Sequence, residues 1–345
     1  MLILLTGATG RIGANVAKRL VEAGHRVVAP VRPDTDRAEK LSALDLELPR
    51  IDLQDREGLT ECIRSLPNLE AVVHLGVKLR GPNNYEQLDV NLAPTLTLLE
   101  AARRHCPELK RFVYGSSDVL WPHSGWMPEL IRYEQRYTWP VGMYAWSKLA
   151  GEGMVNSYHH QYGVPTVIMN IPYTFCGREF LGQRVRQISP RIEDHLRDLE
   201  AQQPSEARDA AISALRTALA EGKQWVLPRC PEGPPYKRHL GDVRDVAEAH
   251  LLALTAPKAV GKAYVLMSHP FDFGVAIPHL AEISGQGYVD VTFPRAEFYE
   301  YDTTPAREEL GFTPRYGPRE MIEDGWRHAQ GEAIGVIDVG PDHPV

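Results

Sequence analysis

Short apolar runs alternate with stretches whose apolar residues recur every three or four positions. Residues 2–5 read as a strand, Ile12, Val16 and Leu20 mark one face of a helix, and residues 27–31 read as a second strand. The alternation continues through a strand at 71–75, a helix carrying Leu92, Leu96 and Leu99, a strand at 111–114, a helix from about Met143 to Tyr162, and a strand at 166–171. Strands alternating with helices pack as a parallel sheet covered on both faces. The expected fold class is therefore α/β, a Rossmann-type doubly wound parallel sheet.

The pattern changes near Gly177. Residues 184–209 are polar and charged, with one apolar stripe at Ile192, Leu196 and Leu199 and a second at Ile212, Leu215 and Leu219. Residues 228–235 form a Pro/Gly-rich loop, 243–254 resume a helical pattern, and 263–267 read as one more strand. We expect a Rossmann-type domain over 1–176, to which 236–267 return. A smaller mixed C-terminal substrate lobe would be built from 177–235 and 268–330, with 331–345 as a tail and the stripes of 184–219 as lid or lobe helices.

Composition narrows the function. The 345 residues are 43% hydrophobic and 24% charged, values of a folded globular chain, and the net charge of −7 without like-charge blocks argues against nucleic acid as a partner. No apolar run approaches the ~20 residues of a membrane-spanning helix. The N-terminus has no basic leader, so a cytoplasmic location is expected. Cys62, Cys106, Cys176 and Cys230 lie far apart with no metal-ligand spacing, so reduced thiols and no metal site are expected.

Between the first strand and the first helix, Gly7, Gly10 and Gly13 form G-x-x-G-x-x-G. Glycines there permit a tight turn and close backbone approach to a pyrophosphate, which the free N–H groups of the helix would face. The second strand ends at Arg32, a basic residue where NADP carries its 2′-phosphate, although Asp34 and Asp36 follow within reach of a ribose. Asp52 and Leu53 are placed to meet the adenine, and Leu75 and Gly76 end a strand beside the same groove.

Tyr144 and Lys148 form Y-x-x-x-K, a phenol and an ammonium on one helix face. The ammonium should draw the phenol's proton affinity down towards neutrality, so that the tyrosine exchanges a proton with a substrate hydroxyl or carbonyl, while the lysine also holds the nicotinamide ribose. Ser116, Ser117 and Asp118 follow the strand 111–114, at the carboxyl end where open α/β sheets bind ligands. A serine there can orient the reacting oxygen, or can simply cap a turn.

Together, T-G-A-T-G-R-I-G, S-S-D before Leu120-Trp121, Y-A-W-S-K and R-H-L-G-D-V-R-D-V-A-E-A-H resemble the extended short-chain dehydrogenase/reductases, and within them the NAD-dependent epimerase/dehydratase family that commonly acts on nucleotide sugars. The resemblance covers about residues 1 to 330 and implies Tyr144 as acid/base, Lys148 as its partner and Ser117 as the substrate-orienting hydroxyl, with Ser116 second. It implies cofactor contacts from Gly7, Thr9, Gly10, Arg11, Ile12, Gly13, Arg32, Asp52, Leu53, Leu75, Gly76, Asn91, Tyr144, Lys148 and Pro172. Substrate contacts would come from Ser116, Asp118, Thr174 and Arg238, the last against a diphosphate, and the assembly would be a homodimer through the helices near 92–102 and 144–162.

Departures from the family pattern direct the choice of reaction. Thr174 stands where an asparagine is frequent, and Val119 stands where sugar dehydratases carry a glutamate after Asp118, which ranks dehydration below epimerisation. The expected function is an NAD(P)-dependent nucleotide-sugar epimerase passing through a transient ketone. An NADPH-dependent ketone or aldehyde reductase is the alternative, and a non-catalytic NADP-binding regulator ranks third. Two further features have bland readings: His159-His160 as solvated histidines, and the aromatics from Trp121 to Trp146 as loop packing or equally as a stacking wall.

Overall fold

A computed structural model describes residues 1–79, 83–181, 189–265 and 269–338. In chain order its elements are β1 (Leu2–Thr6), α1 (Arg11–Glu22), β2 (Arg26–Val28), β3 (Leu46–Glu47), α2 (Arg56–Arg64), β4 (Ala71–His74), α3 (Asn84–Asn91), α4 (Ala93–His105), β5 (Arg111–Ser117), β6 (Gly125–Trp126), α5 (Met143–Tyr162) and β7 (Thr166–Ile171). Then come β8 (Tyr173–Phe175), α6 (Ile192–Glu200), α7 (Glu206–Ala220), β9 (Trp225–Arg229), β10 (Lys237–Asp242), α8 (Val243–Thr255), β11 (Lys262–Val265), β12 (Pro270–Asp272), α9 (Phe273–Ser284), β13 (Tyr288–Thr292), β14 (Glu297–Phe298), α10 (Thr304–Leu310) and α11 (Pro318–Ala329).

Among the described residues the main sheet is parallel throughout, in the order β11-β7-β5-β4-β1-β2-β3. Its strands are continuous apolar runs because both faces are covered. On one face Val16 and Leu20 of α1 pack with Val246 and Ala253 of α8, and on the other Leu59, Leu98, Leu99 and Val155 come from α2, α4 and α5. Each such buried aliphatic side chain contributes about 1.5–3 kcal/mol of hydrophobic stabilisation. The strand order reverses between β1 and β4, which opens a crevice at the carboxyl ends of the strands, where ligands of such sheets bind.

A third core joins α6, α7, β9, α9 and α11 through Ile192, Leu196, Leu215, Trp225, Leu280 and Met321. Beside it a small mixed sheet runs β12-β10-β14-β6 with β8 on β10, while β9 pairs with β13. This second layer carries short strands that face the crevice from the far side.

The structure differs from the sequence reading in places. The stripe of α7 buries Ile212 and Leu215 as expected, together with Ala211 and Ala218, but Leu219 is 38% exposed. Pro228 lies inside β9 rather than in a loop, paired in register with Val291. The stretch after Gly331 is held by tertiary contacts: Ile337 N–H donates to Asn15 Oδ1 at 2.8 Å and the Asn15 amide returns to the Ile337 carbonyl at 3.0 Å. Residues 184–188 of the expected lid segment, residues 266 and 267 of the expected strand 263–267, and residues 339–345 of the tail lie outside the described residues.

Candidate active site

The phosphate-binding turn is shaped by close approach. Gly7 has φ +77°, a Cβ on it would stand 2.7 Å from the Gly76 nitrogen, and one on Gly13 would stand 2.1 Å from the Gly7 carbonyl oxygen. Only glycine fits either position. Gly10 caps α1 without a side-chain hydrogen bond, so the leading N–H groups of the helix point into the crevice with no capping oxygen, a cradle suited to a dinucleotide's phosphates. The Thr9 carbonyl accepts from Arg37 at 3.2 Å, and Ile12 packs on the core of the sheet. The Arg11 guanidinium forks onto the buried carboxylate of Glu179 at 2.8 and 3.0 Å, which ties α1 to the segment after β8.

At the adenosine end Arg32 is exposed, and Arg37 stands near enough that Arg32's charge, after the effect of its own burial, lowers its proton affinity. One Asp52 carboxylate oxygen accepts the Gln54 N–H at 2.8 Å. Leu53 lies against Gly76 and Leu75 against Gly115, lining the groove between β1, β4 and β5.

A chain of buried hydrogen bonds connects this turn to the catalytic helix. The Gly76 N–H donates to Thr6 Oγ1 at 3.1 Å, and Thr6 Oγ1 and His74 Nδ1 are 2.6 Å apart. His74 Nε2 and Thr95 Oγ1 are 3.0 Å apart, and Thr95 Oγ1 donates to the Asn91 carbonyl at 2.9 Å. Because the Thr95 proton is already committed, Nε2 carries the imidazole proton and Nδ1 accepts from Thr6. Burial and the nearby Lys148 charge push His74 down to about 3, so the ring is neutral at ordinary pH. The Asn91 amide then donates to Ser147 Oγ at 2.9 Å, and Ser147 donates to the Tyr144 carbonyl at 2.7 Å. Asn91 also holds the Lys78 N–H at 2.8 Å and the Lys78 carbonyl at 3.1 Å, so its polar groups serve the loop after β4.

Ser117, Tyr144 and Lys148 converge at the carboxyl end of β5. The Ser117 hydroxyl lies between the Asp118 carboxyl, at 3.3 Å, and the Tyr144 phenol, to which it is hydrogen-bonded. Lys148 is buried, donates to the Gly115 carbonyl at 2.6 Å, and sits 5.9 Å from the centre of the Tyr144 ring. The electrostatics differ from the expectation of a phenol near neutrality: burial pushes Tyr144 up to about 12, with Ser117 opposing and Asp118 adding to the rise. Burial likewise pushes Lys148 down to about 7, against the attraction of Glu152. For both groups desolvation is the largest cause of the shift.

The two serines separate. The Ser116 hydroxyl is donated to Glu152 at 2.6 Å, and only Ser117 reaches the tyrosine. Glu152, missed in the sequence, stands four residues after Lys148, an i, i+4 spacing that puts both on one helix face. Asp118 is pushed up to about 6 by burial, although His123, the Tyr173 N–H, Ser117 and Arg238 all oppose that rise.

On the far wall Arg238 of β10 faces Glu297 at 3.6 Å and Tyr299 at 3.4 Å. Thr174 spends its hydroxyl on the Pro172 carbonyl at 2.7 Å, and both residues pack on Gly241. The aromatic stretch divides: Trp121 is fully buried against Tyr133, whereas Trp139 is 86% exposed. Among the described residues no cluster of His, Cys, Asp or Glu could hold a metal ion, and no helix is long and apolar enough to cross a membrane.

With this geometry in place, comparison with known proteins is informative. The model of the NAD dependent epimerase/dehydratase family matches residues 3–266. UDP-glucose 4-epimerase 1 of Oryza sativa subsp. japonica is 32% identical over 96% of both chains. An uncharacterized 37.6 kDa protein of Escherichia coli O111:H- is 34% identical over 48% of this chain, which spans 52% of that protein's length. A short-chain dehydrogenase/reductase superfamily protein from Agrobacterium tumefaciens, solved with bound NAD, superposes with a TM-score of 0.76 at 26% identity, over 96% of this chain and all of that one.

Proposed function

This chain belongs to the NAD dependent epimerase/dehydratase family, and from that premise we propose that it inverts a carbinol centre of a nucleotide sugar. The observation that carries the reading is the convergence of buried Ser117 and Lys148 with half-buried Tyr144 at the mouth of a crevice whose other end is a glycine cradle for phosphates. A dinucleotide held by the glycine turn would supply reversible hydride acceptance, the chemistry an isomerisation without net redox change needs. Tyr144 takes the carbinol proton and gives it back, Ser117 holds the reacting oxygen towards the phenol, and Lys148 supplies the positive charge that favours phenolate. Asp118 and Arg238 face the substrate, with Arg238 against its diphosphate.

Residues 1–176 with 236–267 would bind the dinucleotide, and 177–235 with 268–330 the substrate. The cofactor contacts are those of the glycine turn, together with Arg32, Asp52, Leu53, Leu75, Gly76, Asn91, Tyr144, Lys148 and Pro172. A cytoplasmic homodimer would use α4 and α5, which expose Leu96, Trp146 and Tyr162.

The test is to purify the protein without added nucleotide, denature it and identify the released dinucleotide, then incubate the native protein with UDP-glucose or UDP-glucuronate and resolve the sugars. Near-stoichiometric dinucleotide and turnover without added cofactor are expected. An empty protein that consumes NADPH with a ketone would overturn the reading. That second reading, a reductase, is favoured by one observation: Arg37 joins Arg32 at the adenosine end, two cations where a 2′-phosphate would lie.

A further inference from the structure

The stretch after α11 crosses back to α1. Gly335 turns the chain there with φ +79°, in the left-handed region that favours glycine. Two positions on, the Ile337 N–H donates to Asn15 Oδ1 at 2.8 Å and the Ile337 carbonyl accepts from the Asn15 amide at 3.0 Å, so the side chain receives the strap as a neighbouring strand would. Asn15 is 4% exposed inside a helix, where asparagine is a poor helix former and an unpaired amide is costly. Its amide nitrogen also donates at 2.9 Å to the carbonyl of Arg11, the first residue of α1 at the phosphate cradle.

The same strap reaches the segment after β8. Cys176 Sγ donates to the Ile337 carbonyl at 3.4 Å, and Arg178 pairs with Asp338 at 2.8 Å. That segment is fastened to the cradle a second time by the fork of Arg11 onto Glu179, whose Oε2 also accepts the Cys176 N–H at 2.9 Å. Its Phe180 and Leu181 belong to the core of the second layer, so the strap, the first turns of α1 and that layer meet at one point. Beside the meeting point the packing is open: a cavity of about 280 Å³ is lined by Asn15, Arg19, Arg244, Tyr316, Ile334 and Gly335. The strap is therefore held by a few directed bonds and by the Ile337 side chain on the main core, with room to move at its turn.

We propose that residues 335–338 are a latch on the dinucleotide site. Closed, they hold the segment 176–181 against the first turn of α1, across the route by which a dinucleotide on the cradle enters and leaves. Opened at Gly335, they free that segment to swing away. The inference rests on the reading of the glycine turn as a dinucleotide cradle, and holds for an epimerase and a reductase alike. A latch differs from a part that only shapes the site. Loosening a latch speeds entry and exit together and leaves affinity nearly unchanged, whereas loosening a wall of the site speeds exit alone.

The experiment follows NADH and NADPH binding to the full chain by stopped-flow fluorescence, and release on mixing the loaded protein with excess oxidised dinucleotide. Asn15→Ala removes both bonds to Ile337, so entry and exit should each quicken by about tenfold, as the loss of two hydrogen bonds predicts, with Kd within about threefold of the parent value. Asp338→Asn, at a half-exposed ion pair, should quicken both by about twofold. An unchanged exit rate in Asn15→Ala, shown to be folded by its melting curve, would overturn the inference. So would a faster exit with unchanged entry, which would make Asn15 part of the site's wall. If Asn15→Ala fails to fold, Ile337→Pro decides by the same two rates, because it removes the N–H that Asn15 accepts and leaves α1 as it is. A chain that binds neither NADH nor NADPH would overturn the cradle reading on which the inference rests, a failure distinct from unchanged rates.

Discussion

The two walls of the crevice are built differently. From Thr6 to the Tyr144 carbonyl, the cofactor-side wall is a chain of neutral groups, each donor matched to an acceptor at 2.6–3.1 Å. The substrate-side wall gathers charge: Asp118, Arg238, Glu297 and His123 act on one another, with contacts at 3.4 and 3.6 Å around Arg238, and among the described residues His239 Nδ1 and Glu297 Oε2 are buried without a hydrogen-bond partner. Buried polar atoms left without partners are costly. The contrast teaches that the hydrogen-bond chain from Thr6 to the Tyr144 carbonyl is complete in itself, whereas the substrate wall holds polar capacity that a polar ligand would satisfy.

The largest effect that tests this division is Tyr144→Phe, which should lower kcat by about 10²–10⁴-fold while dinucleotide binding, read by fluorescence titration, is retained, because the hydrogen-bond chain ends on the Tyr144 carbonyl and not on its phenol. Gly13→Ala should break the cofactor wall: with 2.1 Å between the new Cβ and the Gly7 carbonyl oxygen, dinucleotide affinity should fall by about 100-fold. On the other wall, Arg238→Met should raise KM for a nucleotide sugar by about 10- to 100-fold with a smaller change in kcat, as expected for lost hydrogen bonds to a charged group. A fall in kcat alone would erase the distinction between the walls.

The smallest effect concerns pH and stability. Asp118 is raised from 3.8 to about 6, so between those values the folded protein holds a proton that the unfolded chain has released, and stability falls as pH rises through that window. Asp118→Asn should flatten the decline and raise Tm at pH 7 by about 2 °C in a thermal melt. An unchanged pH profile of Tm would show that Arg238 and His123 already offset the burial of the carboxylate.

The cofactor wall was legible in the sequence because its information is local. α5 and β7 occupy the spans that periodicity marked, and the strands at 71–75 and 111–114 stand out as continuous apolar runs because both sheet faces are buried. Asn91–Thr95 and Lys148–Glu152 share i, i+4 spacing, a signal present but passed over for Glu152. The choice of Ser117 over Ser116 came from the family resemblance and not from local pattern, since it depends on which serine meets Glu152 across the packing of β5 and α5. The substrate wall was read poorly for the same physical reason. β6, β12 and β14 are two or three residues long, too short to show a period, and are brought together by pairings such as Glu297 with Gly125. Glu297 and Tyr299, which meet Arg238, follow it by some sixty positions with no motif between.

The clasp between Asn15 and Ile337 closes a loop of 322 positions. Contacts of such separation form late in folding, after the loop-closure entropy has been overcome by other structure. The helix that presents its N–H groups to the phosphates is thus among the first to be synthesised, and its outer face is among the last to be covered. A nascent chain can therefore assemble the parallel sheet, and even engage a dinucleotide, before this clasp forms. Ligand binding would then act as a folding template, stabilising the sheet while the rest of the polypeptide is still emerging.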